Sequence, residues 1–162
     1  MNALAAPTPA YRALMVYDRL PAGCIAFLCT DAYSEPHIRS GEWVIVDTTD
    51  TIPRNGEVYV IEWMGGRRNI CQAHRRPSRC INAAPGAQQW FVGGLSNPRG
   101  RAAMEAALAA YVGGDAPMHS VGWSEGPYAD DCEYLASKLV GCVIGLYEPK
   151  AEGPVRQIGG DL

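Results

Sequence analysis

The chain has 162 residues, of which 48% are hydrophobic and 19% charged, which fits one folded domain with a real core and excludes a disordered chain. A net charge of −3 and a pI near 5.6 exclude a global field that draws in nucleic acid and leave room only for a local basic patch. No apolar stretch approaches the roughly 20 residues of a membrane helix, and residues 1–10 lack the basic start and long apolar run of a secretion signal, so the expected location is cytoplasmic.

Residues 1–10, rich in Ala, Pro and Thr, read as a disordered arm, and residues 11–150 as the domain. Residues 11–17 fit a first strand or a short helix equally well. Arg19-Leu-Pro-Ala-Gly23 is a turn by composition, and residues 24–30 form an apolar strand. Residues 31–38 are a loop with room for one helical turn. Two apolar runs follow, each led by Gly-Glu, at Gly41-Glu42 and Gly56-Glu57. Val, Ile, Tyr and Trp fill them, as in strands buried on both faces, and they are expected as neighbouring strands. Residues 47–53 form the loop between them, and Asn55-Gly56 suits a tight turn.

Gly65-Gly66 then predicts a hairpin of residues 57–64 with 68–75. Residues 79–84 and 88–93 read as further short strands around Pro85-Gly86. Asn97-Pro98 has the form of an N-cap and first helical residue. The following alanine-rich segment predicts a helix over about 98–112, with Met104, Leu108, Tyr111 and Val112 facing the sheet, ended by Gly113-Gly114. Residues 114–131 read as loop, 139–147 as a strand and 151–162 as a flexible tail. Many short strands with closely spaced turn signals make the expected fold class mainly β with one helix. The six cysteines, at 24, 29, 71, 80, 132 and 142, contain no Cys-x-x-Cys pair. Several, such as Cys29 and Cys142, fall in apolar runs and read as reduced, buried side chains.

Glu35-Pro36, Ile38, Gly41-Glu42, the 44–47 run ending in Asp47, and the 56–61 run follow one another in an order and spacing that resemble the core of the LexA-like peptidases, which belong with the signal peptidases. The resemblance covers about the first half of the chain, with a weaker echo near the C-terminus. It implies a LexA/signal-peptidase-like β fold in which segment 97–135 is a helical insertion. It also implies a homodimer formed through the C-terminal strand region 139–147. The LexA-like repressors carry a helix-turn-helix ahead of this domain, and the sequence has no room for one.

A peptidase of this type needs an exposed serine at a loop tip, a neutral lysine as base, and backbone amides facing the oxyanion. Aligned on Glu35-Pro36, the nucleophile position falls on Tyr33 and the neighbouring methionine position on Ser34. The base position falls on His74, and the chain has only two lysines, Lys138 and Lys150. Tyrosine, with an ordinary pKa of about 10, is a poor nucleophile. Imidazole, with a pKa near 6.5, can act as a base. The Ala-Gly bond at Ala22-Gly23 echoes the family's self-cleavage site, but the loop is too short to fold back and reads as a turn.

The leading expectation is therefore a peptidase-like regulatory or protein-interaction module that has lost catalysis. One alternative is an active, possibly self-cleaving serine peptidase using Ser34 and His74. A second is nucleic-acid binding through Arg67, Arg68, Arg75, Arg76 and Arg79, with Trp63 and Trp90 close in sequence. A likeness in fold alone would leave Tyr33, Ser34 and His74 as ordinary residues. No cofactor is expected, because the chain has no nucleotide-binding glycine motif or nucleophile elbow. Nor is a metal, because His37, His74 and His119 show no ligand spacing with Asp31, Glu35 or Asp115.

Overall fold

A computed structural model describes residues 14–150, so the expected arm at 1–10 and tail at 151–162 lie outside the described residues. The chain is mainly β. Eight strands are β1 (Met15–Tyr17), β2 (Cys24–Leu28), β3 (Trp43–Asp47), β4 (Val58–Glu62), β5 (Arg68–Pro77), β6 (Gln88–Gly93), β7 (Ser124–Tyr128) and β8 (Leu139–Tyr147). The main helix is α1 (Arg101–Gly113); a 3-10 turn, Met118–Val121, and a short helix α2 (Glu133–Lys138) complete the elements.

The strands form one sheet in the order β2-β3-β8-β4-β5-β6-β7, with β1 also paired to β8. Side chains alternate across a sheet, so its two faces carry two cores. Tyr59 and Ile61 of β4, Cys71 and Ala73 of β5, and Trp90 and Val92 of β6 build one, closed by Tyr128, Leu135 and Leu139. Val60 and Ile70 join Val44 and Val46 of β3, Val143, Cys29 and Ile38 in the other. This is why β3 and β4 read as unbroken apolar runs: three successive residues in each are buried.

The two Gly-Glu-led strands are not neighbours, contrary to expectation. β8 runs between them, antiparallel to both. Its first part pairs with β4 (Leu139 opposite Ile61, Cys142 opposite Tyr59), and its last part pairs in parallel with β1 (Gly145 opposite Met15). β3 occupies its other edge. With both edges taken, strand 139–147 offers no free edge to extend the sheet into a second copy.

Three local expectations also change. The hairpin of β4 and β5 forms, but residues 79–84 form turns rather than a strand. The helix starts at Arg101 with Gly100 as its N-cap, and it buries no residue. Met104, Leu108, Tyr111 and Val112 are all exposed, so α1 does not pack on the sheet. Asn97, expected as the N-cap, instead clamps the backbone of Trp123. Its Oδ1 accepts the Trp123 amide at 3.0 Å and its Nδ2 donates to the Trp123 carbonyl. That clamp brings residues 114–131 back to the sheet, where β7 pairs with β6. The insertion read from sequence is therefore loose only over α1, while its end supplies Leu135 to the core.

No disulfide joins any of the six cysteines; Cys29, Cys71 and Cys142 are buried and Cys80 is exposed. Among the described residues no helix is long and apolar enough to cross a membrane.

Candidate functional site

Residues 31–38 make the helical turn that the sequence allows. The Ser34 carbonyl accepts the amides of both His37 and Ile38 at 3.1 Å. Asp31 starts the turn, its Oδ1 accepting the Tyr33 amide at 2.9 Å. At the tip, successive side chains part. Tyr33 lines an open cleft. Ser34 is 0% exposed, and its Oγ is buried with no hydrogen-bond partner, His74 included.

His74 lies elsewhere. β5 pairs without a register break from Arg68 to Pro77, so His74 points to the face opposite Asn69, Cys71 and Ala73. It stands across from Phe91 on β6, and Arg76 stacks on that ring at 5.4 Å. Burial, then the charges of Arg76 and Arg99, push the His74 pKa down to about 4. An imidazole held neutral this strongly is a weak base, and no hydroxyl is bonded to it.

The five arginines do not form one patch either. Arg67 and Arg75 stand at opposite ends of β5, roughly 25 Å apart at about 3.3 Å per residue. Arg68 pairs with Glu62 at 2.6 Å. Arg75 pairs with Asp130 at 2.6 Å and stacks on Trp90. Arg76 turns to the other face with His74, and Arg79 lies in the loop beyond β5.

An open cleft of about 580 Å³ lies at Tyr33, with Trp63, Arg67, Asn69, Trp123, Glu125 and Lys138 among its walls. A chain of polar bonds holds it in shape. Trp63 Nε1 donates to Asn69 Oδ1 at 2.9 Å, Asn69 Nδ2 donates to Asp31 Oδ2 at 3.0 Å, and Asp31 holds the Tyr33 amide. Trp63 meets Trp123 edge to face at 5.8 Å. Lys138, in the last turn of α2, passes among three rings, with Nζ 5.0 Å from Trp63, 5.1 Å from Tyr134 and 5.4 Å from Tyr128.

Sequence reading singled out Tyr33, Trp63 and Arg67 from this set. It missed Asn69 and, from segments distant in the chain, Trp123, Glu125, Tyr134 and Lys138. The one available signal was the scarcity of lysine, which makes each of the two conspicuous. Among the described residues no group of three or more His, Cys, Asp or Glu side chains gathers as a metal site. Comparison of the chain with protein-family models, with curated proteins and with solved structures finds no match.

Proposed function

We propose that this chain is a peptidase-like module of the LexA type that has lost catalysis and works by binding a partner or ligand at the cleft around Tyr33. One observation carries the reading. The alcohol that would attack is buried without a partner, while the open cleft beside it presents a phenol and a set of indoles. Such a cleft has what recognition uses, namely rigid aromatic walls with a few polar groups at the rim. Support for the LexA-type ancestry is the order of the motifs from Glu35 to Ile61; the separation of the two Gly-Glu strands by β8 counts against it.

The rival is a working serine peptidase with Ser34 as nucleophile and His74 as base. It needs the two side chains in contact and the imidazole ready to take a proton near neutral pH. A fluorophosphonate probe decides between them. The binding module leaves the probe unreacted and shows no self-cleavage at raised pH. Labelling of Ser34 that disappears in His74→Ala would establish the peptidase. Light scattering of the purified chain tests self-association, and a single monomeric species removes the homodimer.

A further inference from the structure

We propose that the cleft is a nucleotide site, taking a phosphate at Lys138 and Arg67 and a base bearing an exocyclic amino group against Trp123 and Glu125. This rests on the reading of the cleft as a binding site and names its ligand.

The ammonium of Lys138 makes only long polar contacts. The Lys138 side chain is only 15% exposed. Its nearest oxygens are the Tyr128 hydroxyl at 3.5 Å and a Glu125 carboxylate oxygen at 4.0 Å. Good ammonium bonds fall near 2.7–3.2 Å. The faces of the three surrounding rings stabilise the charge, and beside the Tyr128 hydroxyl and Glu125, both at long range, they leave its three N–H donors short of lone pairs. Arg67 lines the same cleft and makes no ion pair among the described residues. The cleft thus holds two cations against one carboxylate, in a chain whose net charge is −3. A dianionic phosphate supplies acceptors that can come closer to both cations than those the chain provides.

The walls of the cleft are aromatic and fixed. Trp63 cannot swing freely, because its indole N–H is tied through Asn69 to Asp31. It holds Trp123 edge on, and Tyr33 lines the same cleft. Fixed aromatic walls of this kind stack planar bases at little ordering cost. Glu125, with a side chain 51% exposed, is the carboxylate of the cleft, and a carboxylate accepts from the amino group of cytosine, as it does in base readout. Uracil presents an oxygen there and is repelled.

Calorimetry with the full chain tests this, using CMP, UMP, cytidine, inorganic phosphate and a short oligo-dC as probes. CMP is expected to bind, with cytidine and phosphate each weaker by about tenfold or more, and UMP weaker than CMP. Lys138→Met is expected to weaken CMP by roughly tenfold to a hundredfold. Arg67→Ala, at an exposed position that the fold does not need, should lower affinity in the same direction and covers the case in which the Lys138 variant does not fold. In Glu125→Gln the preference for CMP over UMP should shrink. Oligo-dC binding more tightly than CMP, with both lost in Arg67→Ala, identifies a single strand as the source of the nucleotide; equal affinities identify the free nucleotide. Absence of CMP and oligo-dC binding at millimolar concentration, or binding that neither cation variant alters, overturns the proposal. That failure leaves the non-catalytic reading standing, since fluorophosphonate labelling of Ser34 alone decides that one.

Discussion

Ser34 and Tyr33 are one peptide unit apart and meet opposite environments. The helical turn that bonds Ser34 to His37 and Ile38 rolls its side chain under the loop and leaves Tyr33 facing the cleft. A buried hydroxyl without a partner has lost its water and gained nothing in return. Ser34→Ala is therefore expected to raise stability by about 1 kcal/mol, read as a higher denaturant midpoint at unchanged slope. A clear loss of stability would show that the hydroxyl is bonded. His74 makes a second prediction at this scale. Its folded pKa, pushed down to about 4, lies below its ordinary 6.5. Between these values the unfolded chain binds the proton and the folded chain does not, so the stability that neutral His74 supports is complete above pH 6.5 and drains away as pH falls towards 4. His74→Gln should flatten the stability profile across that window, and the His74 imidazole signal of the wild type should titrate near pH 4. A midpoint near 6.5 would mean that the ring is solvated.

Among the elements, the two helices differ in what they contribute. α1 has thirteen residues, buries none of them, and reaches the rest of the fold chiefly through the 3-10 turn after it. α2 has six residues and delivers Leu135 at 0% exposure to the core. Length is thus no guide to importance here; burial is. Leu135→Ala should cost roughly 2–5 kcal/mol, because it opens a cavity among Tyr59, Cys71 and Leu139. Leu108→Ala, at a side chain already 49% exposed, should shift the midpoint by under about 1 kcal/mol. Thermal melts of both variants check the contrast, and equal losses would place α1 against the core. The amphipathic pattern of α1 was legible in the sequence, but a pattern says only that a face is apolar, and among the described residues no surface buries it. Asn97 was misread for a related reason. Its side chain suits an N-cap locally, but the backbone groups of Trp123 bind it more fully.

For the whole molecule, β8 is the strand through which the sheet holds together. It contacts β3, β4 and β1, and glycine lets it do so at two points. A Cβ on Gly141 would overlap the Asp47 carbonyl, and one on Gly145 would overlap the Met15 carbonyl. Both obstacles are backbone, which cannot rotate away as a side chain can. Gly141→Ala and Gly145→Ala are each expected to destabilise by roughly 2–4 kcal/mol, more than an ordinary alanine substitution, as measured by chemical denaturation. Wild-type stability in either variant would contradict this close crossing of strands.

What the sequence determined by itself was local: the strand segments from 24 to 62 and from 139 to 147, the turns at Asn55-Gly56 and Gly65-Gly66, and hence the mainly β class. Those features follow from side-chain branching and backbone freedom, which act over a few residues. Only the tertiary structure decided that β8 runs between β3 and β4, because strand neighbours are chosen by contacts between segments far apart in the chain. The same holds for the cleft, whose walls come from Tyr33, residues 63–69, residues 123–125 and residues 134–138. No spacing rule links those stretches; the sheet and the Asn97 clamp bring them together. The orientation of Ser34 belongs with them, since a single turn of backbone decided whether its hydroxyl met the open cleft or the core.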